Sequence, residues 1–138
     1  MARLALDAVT AAVYTALNVA AVTSLLGTAG ISDDPAQGTT FPFVWIEVLG
    51  RNLGGLGTTE LREIELRTHT FTNTQGMRTA QVIDGTVQDL LTDVKLTVSG
   101  YTHCASVFYD DTLPVPIAEL NGTKVQELIS TYRIVVEA

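Results

Sequence analysis

The segment ELREIELRTHTFT, residues 60–72, decides the fold class of this chain. Apolar and small side chains at positions 64, 66, 68 and 70 alternate with charged residues and a histidine at positions 63, 65, 67 and 69. Because successive side chains of a β-strand point to opposite faces, this alternation predicts a strand with one buried and one solvated face. The mixed charges also protect a sheet edge against foreign strands. This interpretation makes His69 a half-exposed strand residue.

A second strand precedes this one. The stretch FPFVWIEVLG, residues 41–50, is rich in β-branched and aromatic residues, and Pro42 restricts its start to an edge or an entry position. The connection GRNLGGLGTT, residues 50–59, has four glycines in ten positions. Strands joined without a helix between them are antiparallel by default, so we expect a hairpin.

Two amphipathic helices flank these strands. The first is predicted over residues 4–26, with apolar side chains at positions 6, 9, 13, 17 and 20 opposite a polar stripe. Gly27 ends it, since glycine accepts the left-handed conformation of many helix ends. The second is predicted over residues 75–94 from its apolar stripe, which outweighs the cost of about 1 kcal/mol for Gly85.

The C-terminal part is predicted to contain strands. HCASVFY, residues 103–109, is predicted as a strand, and Pro114 and Pro116 are expected to break the run that follows. Asn121-Gly122 is the strongest hairpin signal, because both residues tolerate positive φ. A last strand is predicted over residues 124–136, with residues 128, 132, 134 and 136 on one face.

This order of elements predicts the fold class. The chain is read as one α+β domain spanning residues 1–138, with a mainly antiparallel sheet of four to five strands. Both helices are expected to pack on one face of that sheet.

Charge and composition exclude several classes of protein. Eight basic and 15 acidic residues give a net charge of −7, which argues against tight binding of nucleic acid. No charge lies between Asp7 and Asp33, and Arg3 followed by residues 4–26 superficially resembles a secretory signal. The polar stripe of this segment favours a surface helix over a membrane segment. The single cysteine, Cys104, excludes an internal disulfide and a zinc site of several thiolates.

The residues that could carry chemistry are few. His69, His103, Cys104 and Asp110 show no spacing typical of metal ligands, and Cys104 is expected to be a small buried thiol. Catalysis would require His69, His103 and Cys104 to converge. We therefore predict no catalytic site, no metal site and no cofactor, and expect that the protein is not an enzyme.

The glycine-rich connection is the candidate interaction site. A phosphate-binding loop is excluded there, because a strand follows the glycines and no lysine is present. Two interpretations remain: the apolar residues of the loop contact a partner, or they fold back on the sheet. The residues of this predicted arm are Arg51, Asn52, Leu53, Gly54, Gly55, Leu56 and Gly57.

Several phrases, taken in order, resemble the small tail terminator (tail completion) proteins of long-tailed bacteriophages. The first helix closes on Leu25-Leu26-Gly27, and a strand begins at Pro42-Phe43-Val44 after a short acidic loop. The phrases ELRTHTFT (65–72), AQVIDGTVQDLL (80–91) and STYRIVVEA (130–138) then supply a strand, a helix and a final strand. The resemblance covers nearly the whole chain, and residues 113–120 depart from it.

The resemblance implies a structural role in phage assembly. It implies a homo-oligomer, a six-membered ring that caps the head-proximal end of the tail tube, ends tube polymerisation and joins the head connector. The expected partners are therefore the chain itself, the tail tube protein and a connector or neck protein, with no membrane. DNA would pass the lumen without specific binding, and the ring would be assembled in the bacterial cytoplasm and reside at the tail–head junction of the virion.

Two other functions remain open at this point. One is another head–tail neck component, such as a connector or head-closure protein. The other is a small ligand-binding α+β domain, which would require a concave apolar pocket with a few converging polar groups.

Overall fold

The computed structural model describes eight stretches of the chain, and three helices and six strands lie within them. The described residues are 6–33, 40–52, 61–74, 76–92, 94–98, 103–104, 107–120 and 123–137. The helices are α1 (Leu6–Leu17), α2 (Ala20–Thr23) and α3 (Arg78–Leu91). The strands are β1 (Ile31–Ser32), β2 (Phe43–Asn52), β3 (Leu61–Thr72), β4 (His103–Cys104), β5 (Phe108–Leu120) and β6 (Thr123–Glu137).

The strands form one sheet with β3 at its centre. The order is β1-β2-β3-β6. On the side of β6 away from β3, β5 pairs with residues 123–133 and β4 pairs with residues 136–137. All pairs are antiparallel except β1–β2. The predicted α+β class and the mainly antiparallel sheet are confirmed, and so is the predicted hairpin of β2 and β3.

The core lies between the helices and one face of the sheet. The alternation in β3 is confirmed, because Ile64 and Leu66 are fully buried beneath the helices. The apolar stripes of α1 and α3 face the same core, so both long helices lie on one side, as predicted. No helix in the described part of the chain is long and apolar enough to cross a bilayer. The helical residues of the core are Val9, Val13, Leu17, Val22, Ile83, Val87 and Leu91.

The prediction of one uninterrupted first helix is wrong. Val19 has extended backbone angles, φ −127° and ψ 157°, and separates α1 from α2. Leu17 and Val22 are both fully buried, although five residues of a continuous helix would turn them about 140° apart. The break at Asn18 and Val19 therefore lets both apolar side chains reach the same core.

The expectation that Pro114 and Pro116 break the run after residue 109 is also wrong. β5 continues through Pro114, which pairs with Leu128, to Leu120. Among the described strands β5 pairs only with β6, and an edge strand tolerates proline when its nitrogen faces away from the partner. A register shift between Val115 and Ala118 accommodates Pro116. The pairing of Leu120 with Thr123 confirms the predicted hairpin, whose Asn121 and Gly122 lie outside the described residues.

Gly27 has a different role from the one predicted. Its φ is not in the left-handed range, and α2 ends before it, at Thr23. Its amide donates a hydrogen bond to the Pro42 carbonyl at 2.7 Å, and a Cβ atom would stand 2.9 Å from the backbone oxygen of Phe41. Gly27 is therefore required by close backbone approach, whereas the space around Gly85 in α3 is open.

These two glycines predict opposite effects of the same substitution. Gly27→Ala should lower the free energy of unfolding by about 1–3 kcal/mol, because the backbone of Phe41 must move. Gly85→Ala should raise it by about 0.5–1 kcal/mol, because alanine favours a helix interior and meets nothing within 4 Å. Urea denaturation of both variants measures the difference, and effects of equal sign would contradict this account.

Candidate functional site

The outer face of the sheet, opposite the helices, carries alternating charge. Arg67 on β3 lies 2.9 Å from a carboxylate oxygen of Glu65 and 3.6 Å from one of Glu47, and Arg133 lies 3.8 Å from Glu63. All of these side chains are partly exposed, so each pair contributes about 1 kcal/mol or less to stability. The predicted mixed-charge face of this strand is confirmed.

His69 is buried, which corrects the prediction of a half-exposed residue. It is 6% exposed, and its ring stacks on Trp45 with centroids 4.1 Å apart. Nδ1 lies 3.0 Å from Glu127 and Nε2 lies 3.1 Å from Glu47. Because carboxylates only accept, both contacts are hydrogen bonds when each ring nitrogen carries hydrogen. Side chains of β2 and β6 thus bury His69 on the face of the sheet that has no helices. The alternation along β3 alone does not indicate this burial.

Replacing His69 by alanine should destabilise the fold. The change leaves the carboxylates of Glu47 and Glu127 without the ring between them and removes the stacking partner of Trp45. We expect a loss of about 1–3 kcal/mol in the free energy of unfolding, measured by urea denaturation. The double variant His69→Ala/Glu47→Gln should recover part of this loss, and unchanged stability of the single variant would contradict the interpretation.

A buried polar cluster connects α3 with β5 and β6. Asp84 on α3 is 2% exposed and accepts hydrogen bonds from Ser130 at 2.7 Å and from Gln88 at 2.6 Å. Thr112 of β5 lies 2.7 Å from the Ser130 hydroxyl and 2.6 Å from that of Tyr109. Sequence analysis missed this cluster. The available signal was an aspartate on the buried stripe of α3, directly after Ile83.

Burial governs the ionisation of this cluster. Desolvation raises the pKa of Asp84 above its ordinary value, and the hydrogen bonds from Ser130 and Gln88 lower it in part. Burial, and then the nearby Asp84 carboxylate, also raise the pKa of Tyr132. The charged form of Asp84 is therefore costly in the folded state.

The shifted pKa of Asp84 predicts a pH dependence of stability with a definite sign. A carboxyl whose pKa is higher folded than unfolded binds more protons in the folded state, so its contribution is greatest at low pH. That contribution is lost as the pH rises through the folded-state pKa. The free energy of unfolding of wild type minus that of Asp84→Asn should therefore fall from about pH 4 towards neutrality. A difference that rises over this interval would contradict the assignment.

The remaining candidate residues do not converge. His69 pairs with Ile129 and His103 with Glu137, which are eight residues apart on β6 and so about 26 Å distant. Asp110 is exposed at a bulge of β5, and the side chain of Cys104 lies outside the described residues. Within the described parts of the chain, no group of three or more histidine, cysteine, aspartate or glutamate side chains could hold a metal.

The predicted arm begins where β2 ends. Arg51 and Asn52 are the last residues of β2 and pair with Glu63 and Arg62 of β3, while residues 53–57 lie outside the described residues. Of the predicted arm, the structure therefore describes only Arg51 and Asn52, which belong to β2.

The two long edges of the sheet differ in their capacity to pair. From Ile46 to Asn52, β2 has no partner on its β1 side among the described strands. The outer edge of β5 contains Pro114 and Pro116, which lack the amide hydrogen that an added strand needs. The β2 edge is therefore the better site for strand addition.

Comparison with known proteins assigns the chain to a family. The sequence profile of the family described as tail completion protein gp17 matches residues 11–137. This chain belongs to that family. The resemblance drawn from the sequence is thereby confirmed, and the family is one of structural phage tail proteins.

Solved structures resemble the fold over nearly its whole length. A chain in the virion of a native gene transfer agent particle is 19% identical, with a TM-score of 0.81, and the match covers 99% of this chain and 100% of that one. A second solved chain is 13% identical, with a TM-score of 0.52, and the match covers 97% and 96% of the two chains. No curated protein sequence is significantly similar to this tail completion family member.

Proposed function

We propose that this protein caps the head-proximal end of a phage tail tube as a closed ring, ends tube polymerisation and forms the joint to the head connector. The observation that carries the proposal is the membership of residues 11–137 in the tail completion family. The fold it shares with a chain of a gene transfer agent virion is consistent with a place in the particle. The role is structural, without catalysis.

A closed ring needs two different contact surfaces on each subunit, because neighbouring copies meet head to tail. The unpaired edge of β2 from Ile46 to Asn52 is one suitable surface, since an added strand would continue the backbone hydrogen bonding. The predicted arm, residues 51–57, begins at the end of this edge and supplies the other surface by reaching over the next subunit. Leu49, 41% exposed at the same end of β2, adds an apolar contact.

The charge of the chain suits a ring that surrounds passing DNA. With a net charge of −7, each copy adds negative charge to the assembly. Like charge keeps a polyanion from binding to the lumen, so DNA would pass without specific contacts. The complete joint would lie at the head end of the tail in the virion.

Molar mass by light scattering over a wide range of protein concentration tests the ring. The expected species has six times the 14.8 kDa mass of the chain. The same protein is then mixed with purified tail tubes and imaged by electron microscopy, where it should occupy one end only. Rings or monomers that bind neither tube end would contradict the capping role, and binding only to isolated head connectors would favour a head-closure protein.

A further inference from the structure

A cavity of about 370 Å³ lies between α3 and β5. Met77, Pro114 and Leu128 contribute its apolar wall, and Asp84 and Gln88 contribute to its polar wall. This volume is near the lower limit for small-molecule pockets and is large enough for one long side chain.

The hydrogen bonds at the polar wall run in one direction. Ser130 donates its only hydroxyl hydrogen to Asp84, so its oxygen accepts from Thr112. Thr112 has then used its own hydrogen and accepts from Tyr109. The hydroxyl hydrogens of Tyr109, Thr112 and Ser130 therefore all point towards Asp84 along this series of hydrogen bonds. Tyr109 stands at the exposed end of this series of hydroxyl groups. Its hydroxyl hydrogen is already used, so its oxygen can only accept a further hydrogen bond.

The described side chains around this cavity give the Asp84 carboxyl group hydrogen-bond donors but no cation. Gln88 donates one amide hydrogen to Asp84 and the other, at 3.4 Å, to Thr112, and it keeps its amide oxygen as an acceptor. Among the described residues, no lysine, arginine or histidine forms an ion pair with Asp84. Aspartate is almost never fully buried unless it is paired. The cavity thus presents a buried carboxylate and acceptor oxygens, which a guest that only donates would match.

We propose that this cavity receives a positively charged side chain, foremost an arginine, from a neighbouring protein of the virion. A guanidinium group carries five donors and no acceptor, and its planar face can lie on the ring of Tyr109, which is 38% exposed. The apolar wall accommodates the aliphatic stem of such a side chain. A different protein is favoured over a second copy as the partner, because each copy carries 15 acidic residues against eight basic ones and like-charged chains repel each other.

This inference rests on the proposed function for the identity of the partner, but binding to the cavity can be tested without the partner protein. Methylguanidinium serves as the probe, urea as its uncharged analogue and sodium chloride as the ionic control. Amide NMR spectra of the wild-type protein follow each titration. We expect saturable shifts around α3 and β5 with methylguanidinium and none with urea at the same concentrations.

Matched variants assign the binding to the cavity. Asp84→Asn should weaken methylguanidinium binding by about tenfold or more, the usual effect of losing a charge-assisted hydrogen bond. Asp89→Asn removes an exposed carboxylate of the same helix and should leave binding unchanged. Equal binding by Asp84→Asn and wild type, or equal shifts with urea, would overturn the proposal.

A second variant tests the cavity if the first does not fold, and two outcomes distinguish the cavity proposal from the assembly role. If Asp84→Asn does not fold, Tyr109→Phe removes an outward acceptor at an exposed position and should weaken binding about threefold. Unchanged binding by Tyr109→Phe would then contradict the role of the hydroxyl chain. Protein that caps tubes but does not bind methylguanidinium overturns the cavity proposal alone. Methylguanidinium binding by protein that caps no tube end overturns only the assembly role.

Discussion

Leu66→Ala should lower the free energy of unfolding by about 2–5 kcal/mol, the cost of a large cavity at the centre of a packed core. Leu66 is fully buried on β3, the central strand, and its register partners are Val48 on β2 and Tyr132 on β6. The strands on either side constrain the site, so it cannot collapse to fill the space. Urea denaturation at neutral pH measures the loss.

Leu49→Ala is the matched control for this substitution. Leu49 lies on β2 with its side chain on the outer face and is 41% exposed. The same chemical change there should alter the free energy of unfolding by no more than about 0.5 kcal/mol. A loss at Leu66 no greater than that at Leu49 would contradict the placement of the core on the helix side of the sheet.

Replacing residues 53–61 by Asn-Gly should abolish ring formation while leaving the monomer folded. Asn-Gly closes a two-residue hairpin, and the pair Asn52–Arg62 supplies strand ends at the required spacing. The remaining register of β2 and β3, from Phe43 paired with Phe71 onward, does not depend on the removed segment. Light scattering reports the oligomer, and circular dichroism reports the fold.

A second variant separates the length of the arm from its apolar contacts. Leu53→Ser/Leu56→Ser keeps the full length and removes only the apolar side chains. If the arm binds a neighbour through these residues, this variant should also fail to assemble. Rings formed normally by both variants would exclude the arm from the interface and leave the β2 edge as the remaining candidate.

Much of the fold follows from local pattern. Alternation in β3, the apolar stripe of α3 and the Asn121-Gly122 signal each predict an element that the structure contains. These features depend on the period of the side chains along one segment, so neighbouring residues suffice to reveal them. The family resemblance rests on the order of such segments and was accessible in the same way.

The candidate sites were less accessible, because their residues come from different strands. From the alternation alone, His69 belongs to the charged, solvated face of β3. The sheet register places Trp45, Glu47 and Glu127 beside it and so buries it. Asp84 reads as an ordinary helical residue until Ser130 of β6 meets it, 46 positions away in the chain. Neither environment has a local signal strong enough to specify its partner.

The sequence by itself determined the α+β class, the antiparallel pairing of β2 with β3 and the family. It also determined which side chains of β3 face the helices. Those properties arise from side-chain periodicity and turn chemistry, which act over a few residues. Only the tertiary structure decided that the first helix breaks at Val19, that β5 continues past Pro114 and that His69 and Asp84 are buried. Each of these depends on burial against distant elements, and packing over long sequence separations overrides local propensity.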